Sequence, residues 1–314
     1  MRVLITGATG YIGSRLGISL AKSGFIVRLC SRKTLEPGSV FDGAEWAQVD
    51  FSNPNEDSLR TALKNVDAIV HLAALNDSQC RENSELAHRI NVDGTRSLLK
   101  AASDANVQQF IYVSTAHVYG SPLAGTFNED SETKPSTDYA LTHRLAEDCV
   151  RDSDLPQKLV FRITNGIGAP TAVDTDCWML LVNDLCKQAV TTGRIVLKTH
   201  GLQLRNFVSL SSVEKAIREQ LGSKAEWQLI NIVGITKSIR EMAQDIKIKA
   251  SQVLNKEILL ECPEPTLAEQ EQAKSSSLEI QTRWPSFSPQ TERMALNRAI
   301  EETLLFCVQR FSTK

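Results

Sequence analysis

The chain is expected to be an α/β protein with a doubly wound parallel sheet and a smaller, less regular C-terminal part. Three observations predict this. A β-rich run at the start closes on glycines at three-residue spacing, apolar strand-like runs then alternate with helical patterns, and the alternation weakens after residue 165. Strict strand–helix alternation implies a parallel sheet with right-handed crossovers.

The first strand is Arg2–Thr6, followed by Gly7, Gly10 and Gly13 and by a helical pattern over Ser14–Ser23. Glycines allow a tight turn and close backbone approach, and free N–H groups at a helix start favour a phosphate. Strand, glycine turn and helix in this order form a dinucleotide-binding fingerprint, so the fold is read as Rossmann-type. Phe25–Cys30 is the second strand, where an acidic residue at the end would bind ribose hydroxyls. Ser31, Arg32 and Lys33 stand there instead. A hydroxyl and two cations suit a 2′-phosphate, which favours NADP over NAD, with a merely solvated loop as the alternative.

Ala44–Asp50 reads as the third strand, Glu56–Lys64 as a helix and Asp67–Leu72 as the fourth strand. Leu72, Ala73 and Ala74 follow at its carboxyl end, where open parallel sheets bind ligands. Glu85–Ala105 is a long helical pattern and Gln109–Ser114 the fifth strand, with Thr115 and His117 directly after it. A polar loop over residues 121–137 leads to a helix, Asp138–Asp152, that carries Tyr139 and His143. Residues four apart lie about 40° apart around a helix, so these two share a face. A strand-end hydroxyl opposite a helical tyrosine is a proton-transfer pair.

Beyond Gly166, Cys177–Val190 reads as a helix, Ile195–Lys198 as a strand, Thr236–Asp245 as a helix, 261–277 as a variable loop and Thr291–Phe311 as a final helix. The expected division is a dinucleotide-binding domain over 1–165 and a second part over 166–314, interleaved with late elements of the first.

A net charge of -2 offers no basic field for nucleic acid, and no stretch is apolar enough to span a membrane. The seven cysteines are scattered, without a paired spacing. That pattern fits reduced thiols in a cytoplasm and neither a disulfide frame nor a metal site. The chain begins directly with a strand, which leaves no room for a signal peptide.

Taken together, Thr6–Gly13, Asp50, His71–Ala74, Asn91–Thr95, Ser114-Thr115, Val118–Gly120, Tyr139, Arg162 with Asn165, and Arg205–Val208 resemble the extended short-chain dehydrogenase/reductase family, the branch of nucleotide-sugar epimerases, dehydratases and 4-keto reductases. The resemblance covers nearly the whole chain, and it implies that the part over 166–314 is a small C-terminal substrate lobe, mainly substrate-binding. It implies a cofactor site of Gly7, Gly10, Tyr11, Ile12, Gly13, Ser31, Arg32, Asp50, Phe51, Leu72, Ala73, Ala74, Asn91, Tyr139 and His143. It implies catalysis by Thr115, Tyr139 and His143, with Thr115 bonding the reacting sugar oxygen and Tyr139 moving the proton. His117, Asn165, Asn183 and Arg205 are the implied substrate residues, Arg205 on a diphosphate, and a homodimer through the helices at 85–105 and 138–152 is implied as well.

The sequence departs from the family at two places. His143 stands where the family has a lysine that favours the phenolate, and Arg144 points roughly 140° away from Tyr139. Ala116-His117 replaces the Asp-Glu pair of the 4,6-dehydratases, which disfavours dehydration. The expected function is hydride transfer at a sugar carbon, by 4-keto reduction or C4 epimerisation. A catalytically attenuated dinucleotide-binding scaffold and a reductase of a small non-sugar ketone stay open beside it. The scaffold reading draws on His143 and on Ser211-Ser212, where relatives often place an aspartate.

Overall fold

A computed structural model describes residues 1–33, 41 and 44–311. In chain order the elements begin with β1 (Arg2–Thr6), α1 (Tyr11–Lys22), β2 (Ile26–Ser31), β3 (Glu45–Gln48), α2 (Glu56–Leu63), β4 (Ala68–His71), α3 (Asp77–Glu82) and α4 (Ser84–His88). A π-helical turn (Arg89–Gly94) leads into α5 (Thr95–Asp104), then β5 (Gln109–Thr115), a 3₁₀ turn (Ala116–Tyr119), β6 (Gly125–Phe127), α6 (Asp138–Arg151), β7 (Gln157–Ile163) and β8 (Asn165–Ile167). The remainder comprises α7 (Leu181–Thr192), β9 (Arg194–Val196), β10 (Leu204–Ser209), α8 (Leu210–Gln220), β11 (Trp227–Ile232), β12 (Ile235–Ser238), α9 (Ile239–Leu254), β13 (Leu259–Glu261), α10 (Leu267–Ser275), β14 (Leu278–Ile280) and α11 (Pro289–Phe311).

The chain forms two compact units. The first comprises 1–121, 131–163 and 214–231. Its sheet has seven strands in the order β11-β7-β5-β4-β1-β2-β3. Every described pairing from β3 across to β7 is parallel. Strand order reverses between β1 and β4, and ligands of such sheets bind at the carboxyl ends beside that reversal. The strands there are continuous apolar runs because both faces are covered. Val3, Leu4, Ile5, Ile69 and Val70 have no exposed surface. One face packs Leu4, Ile69, Phe110 and Tyr112 against Leu98 and Ala102 of α5 and Ala146 and Val150 of α6.

The second unit comprises 122–130, 164–213 and 232–314. It holds the three-stranded sheet β12-β10-β8 and two small pairs, β13-β9 and β14-β6. Its core joins Val182 and Leu185 of α7, Phe207 of β10, Met242 and Ile246 of α9, and Ile300 and Leu304 of α11.

Several elements differ from the sequence expectation, each for a local reason. The long helix over 85–105 is three pieces, because the π turn widens the helix at Arg89–Gly94. The helix expected from Thr236 starts only at Ile239, since Ser238 and Glu241 form a capping box and the preceding residues belong to β12. Residues 261–277, expected as a loop, contain α10, started by the same box between Thr266 and Glu269. A short helix the apolar pattern missed, α3, is set by a box between Asn76 and Gln79.

Candidate active site

The glycine turn is built for close packing and for an anion. Gly7 has φ +64°, a left-handed conformation, and a Cβ there would lie 2.9 Å from the Leu72 carbonyl and the Ala73 nitrogen. At Gly13 a Cβ would come 2.3 Å from the Gly7 carbonyl oxygen. Helix α1 starts at Gly10 with no side-chain cap and no acid in its first turn. Its positive end is therefore open to a phosphate, flanked by partly exposed Tyr11 and Ile12.

Beside this turn β4 ends in a hydrogen-bonded knot. The hydroxyl of Thr6 accepts the N–H groups of Leu72 and Ala73, both at 3.1 Å, and lies 2.7 Å from Nδ1 of His71. Nε2 of His71 lies 2.9 Å from the Thr95 hydroxyl, which donates to the Asn91 carbonyl at 2.6 Å. Thr95 must therefore accept from Nε2–H, and Thr6 must donate to Nδ1. Burial holds His71 at about 3, and neighbouring His143 adds to the shift, so its ring is neutral. Asn91 is 1% exposed and acts as a clamp rather than an open ligand group. Its Oδ1 accepts the Leu75 N–H and its Nδ2 donates to Thr142. Ala73 stays partly exposed and Ala74 exposed.

At the end of β2, Arg32 and Lys33 are exposed. Ser31 is buried, and its hydroxyl donates to the Lys33 carbonyl at 2.7 Å. Asp50 is exposed, and its carboxylate accepts the Ser52 N–H and hydroxyl. Those bonds, and more weakly Arg32, hold it below the usual carboxylate range. Phe51 is buried edge-on to the His71 ring, 5.3 Å between centroids.

Thr115 and Tyr139 meet at the end of β5. Burial pushes the Tyr139 phenol up to about 12 while a hydrogen bond to Thr115 pulls the other way. Helix α6 begins at Thr137, whose hydroxyl caps Ala140 N–H, and this places Tyr139 in the first turn. His143 follows one turn on, its ring edge-on to Tyr139 at 4.6 Å. It is 4% exposed, Nδ1 lies 2.7 Å from the Tyr112 hydroxyl, and Nε2 is buried without a partner. Burial, with His117 nearby, holds its imidazole at about 4. It is thus neutral where the resemblance expects a cation. Arg144 does not replace that charge, being bound to Asp148 at 2.6 Å and to Thr133. One turn further, Glu147 is buried against Ser114 at 2.6 Å and Arg162 at 2.6 Å, which ties α6 to β5 and β7.

These residues fit a dinucleotide. The open helix end takes a phosphate, Gly7 and Gly13 keep the approach clear, and the buried Nε2 of His143 lacks a hydrogen-bond partner, which a ribose hydroxyl would supply.

In the second unit, Arg205 is exposed at the start of β10 and makes no ion pair among the described residues. Burial of its stem nonetheless lowers the guanidinium slightly from its ordinary range. Asn165 donates to the Asn206 carbonyl at 2.8 Å and stays partly exposed. Asn183 lies in the unit's interior at 1% exposure, hydrogen-bonded to Cys177. The place of the missing aspartate near Ser211-Ser212 is filled from elsewhere: buried Glu292 of α11 accepts the Ser209 N–H at 2.6 Å and the Ser212 hydroxyl.

Tyr112, Thr6 and Glu292 were not singled out by sequence reasoning. Tyr112 and Thr6 sit in apolar strands, and the only signal for Tyr112 was its alternation with Phe110 and Ser114 on one face.

Comparison with known proteins bears on the whole arrangement. The profile of the NAD dependent epimerase/dehydratase family matches residues 3–229. The dTDP-D-glucose 4,6-dehydratase of Mus musculus is 30% identical over 268 residues, covering 78% of this chain and 73% of that protein. The UDP-glucose 4-epimerase of Vibrio cholerae is 34% identical over 154 residues, 46% of this chain and 45% of that one. Among solved structures, MoeE5 in complex with UDP-glucose and NAD superposes with a TM-score of 0.76 at 23% identity, covering 99% of this chain and 100% of that one. The chain belongs to the NAD dependent epimerase/dehydratase family.

Proposed function

We propose that the protein transfers a hydride between a nicotinamide dinucleotide and a carbon of a nucleotide-activated sugar, with net reduction of a 4-keto sugar as its reaction. The Thr115–Tyr139 pair carries this reading. A phenol that keeps its proton near neutrality is an acid, and reduction of a ketone needs an acid at the oxygen that receives the proton. Thr115 would hold that oxygen and Tyr139 would protonate it. When bound, the reduced dinucleotide supplies the hydride. Within this chain the glycine turn binds its phosphates, the β4 knot fixes the wall beside it, and Nε2 of His143 orients its ribose. Asn165 and Arg205 would take the substrate diphosphate, for which the unpaired guanidinium of Arg205 is suited.

NADP is favoured over NAD by exposed Arg32 and Lys33 and by the absence of an acid at the end of β2. A homodimer through α5 and α6 is supported by the groove of about 600 Å³ between them, lined in part by Val92, Leu99, Leu145 and Cys149. A cytoplasmic setting is supported by seven free cysteines. No helix among the described residues is long and apolar enough to cross a membrane.

A second reading, C4 epimerisation with a retained dinucleotide, has in its favour that His117 follows Thr115, donates its N–H to the Thr115 hydroxyl and lies near His143. The test is turnover of a panel of 4-keto and 4-hydroxy nucleotide sugars with NADPH and NADH. The proposal expects NADPH consumed in proportion to 4-keto sugar. Product formed from a 4-hydroxy sugar with no net consumption would replace it with the epimerase.

A further inference from the structure

The two buried histidines of the first unit differ in one respect. Both ring nitrogens of His71 are matched by threonine hydroxyls, whereas His143 has Nδ1 matched and Nε2 bare. Tyr112 explains which proton is where. It is 1% exposed, and His143 is the hydrogen-bond partner its hydroxyl has in the structure. A buried phenol must place its proton on an acceptor, and the acceptor within reach is Nδ1. With Tyr112 donating, Nδ1 carries no proton and the neutral imidazole carries it on Nε2, where a bound dinucleotide oxygen would accept it. The reverse tautomer leaves the Tyr112 proton without an acceptor whether or not the dinucleotide is bound. The other groups facing the ring are Tyr139 from its own helix, His117 after β5 and His71 from β4. Glu147, one turn along, is engaged by Ser114 and Arg162. None of these takes the Nε2 proton.

We infer that Tyr112 is a positioning residue: by donating to Nδ1 it fixes His143 as a neutral Nε2–H donor for an oxygen of the dinucleotide beside Tyr139. This rests on the dinucleotide reading of the site. Its consequence is that His143 supplies orientation without charge. Tyr112 and His143 thus act as one unit in place of a single lysine, and the value of Tyr112 depends on the identity of residue 143.

The test is nitrogen NMR of the full chain labelled with ¹⁵N-histidine, with the His143 signals identified by their loss in His143→Lys. The expected result without cofactor is one neutral tautomer protonated at Nε2 and unchanged through the neutral range. In Tyr112→Phe it becomes a mixture of the two neutral tautomers. A charged or Nδ1-protonated ring in the unmodified protein overturns the proposal whether or not the variant folds. In the second arm NADPH is titrated. Binding is expected to move the Nε2 signal, and Tyr112→Phe is expected to weaken binding about tenfold, the scale of one lost hydrogen bond. In the His143→Lys background the same change has little effect, since lysine has no tautomer to fix. An equal loss in both backgrounds marks Tyr112 as merely structural and overturns the proposal. Binding without movement of Nε2 overturns it while leaving the dinucleotide reading intact. No binding of either NADPH or NADH overturns both.

Discussion

Tyr139 is subject to two opposed influences, burial that raises its phenol to about 12 and the Thr115 hydroxyl that lowers it. The neutral imidazole of His143 adds no cation to shift the balance. The direction of reaction should therefore depend on pH. Alcohol oxidation needs the phenolate, whose fraction rises about tenfold per pH unit below the phenol's own value, so its rate should climb through the neutral and alkaline range. Ketone reduction uses the protonated phenol and should stay flat there. His143→Lys places a cation beside the phenol and should move the oxidation limb to lower pH by about one unit or more. Rate profiles in both directions check this, and identical profiles for the two proteins would contradict it. The pair itself was legible in the sequence, because a strand-end threonine and a helical tyrosine occupy recognisable positions. The state of His143 was not. It depends on Tyr112, 31 residues away in sequence, and on a proton count that only the folded contacts permit.

Among the elements, α8 shows how a local sequence signal can mislead. Ser211-Ser212 lacks the aspartate that relatives often place there, and read alone this speaks for the scaffold reading. The folded chain places Glu292 of α11 against the N-terminal turn, bound to Ser209 and Ser212. Burial raises that carboxyl, and its serine contacts partly offset the rise. Glu292→Ala leaves the buried Ser209 N–H without its acceptor and should destabilise the protein by about 1–3 kcal/mol, measured by denaturant unfolding. Adding Ser212→Asp should restore much of that loss, whereas Ser212→Asp alone sets a second carboxylate against Glu292 and should be destabilising. Strands with strong apolar periods were legible to within a residue or two, whereas helix ends were missed by more: α1 starts three residues before the expected Ser14, α7 starts four after the expected Cys177, and α9 runs to Leu254, nine past the expected Asp245. The pieces that were not legible include α3, α10, the π turn and the start of α9, which are set by capping boxes and by one widened turn. Those features rest on single side chains rather than on periodicity.

For the whole molecule the buried histidines give stability a definite pH dependence. His71 and His143 are held at about 3 and about 4 in the fold, below the ordinary imidazole value of 6.5. As pH falls below that value the unfolded chain takes up protons that the folded one refuses, so stability present above it is progressively lost on acidification towards pH 4. Each group contributes a slope of about 1.4 kcal/mol per pH unit in that window. His143→Gln should remove one such slope, and unfolding free energies of the two proteins across the window measure it. Equal slopes would show that His143 titrates normally in the fold.

The central claim, that the glycine turn and the Thr115–Tyr139 pair form one reducing site, is tested most directly by following the hydride. The protein is given NADPH deuterated at C4 of the nicotinamide and a 4-keto nucleotide sugar, and the product is weighed by mass spectrometry. The account predicts deuterium on the sugar carbon that was the ketone, and a rate lowered by about 10²- to 10⁴-fold in Tyr139→Phe measured with the dinucleotide saturating. No deuterium in the product, or equal transfer by Tyr139→Phe, would contradict it.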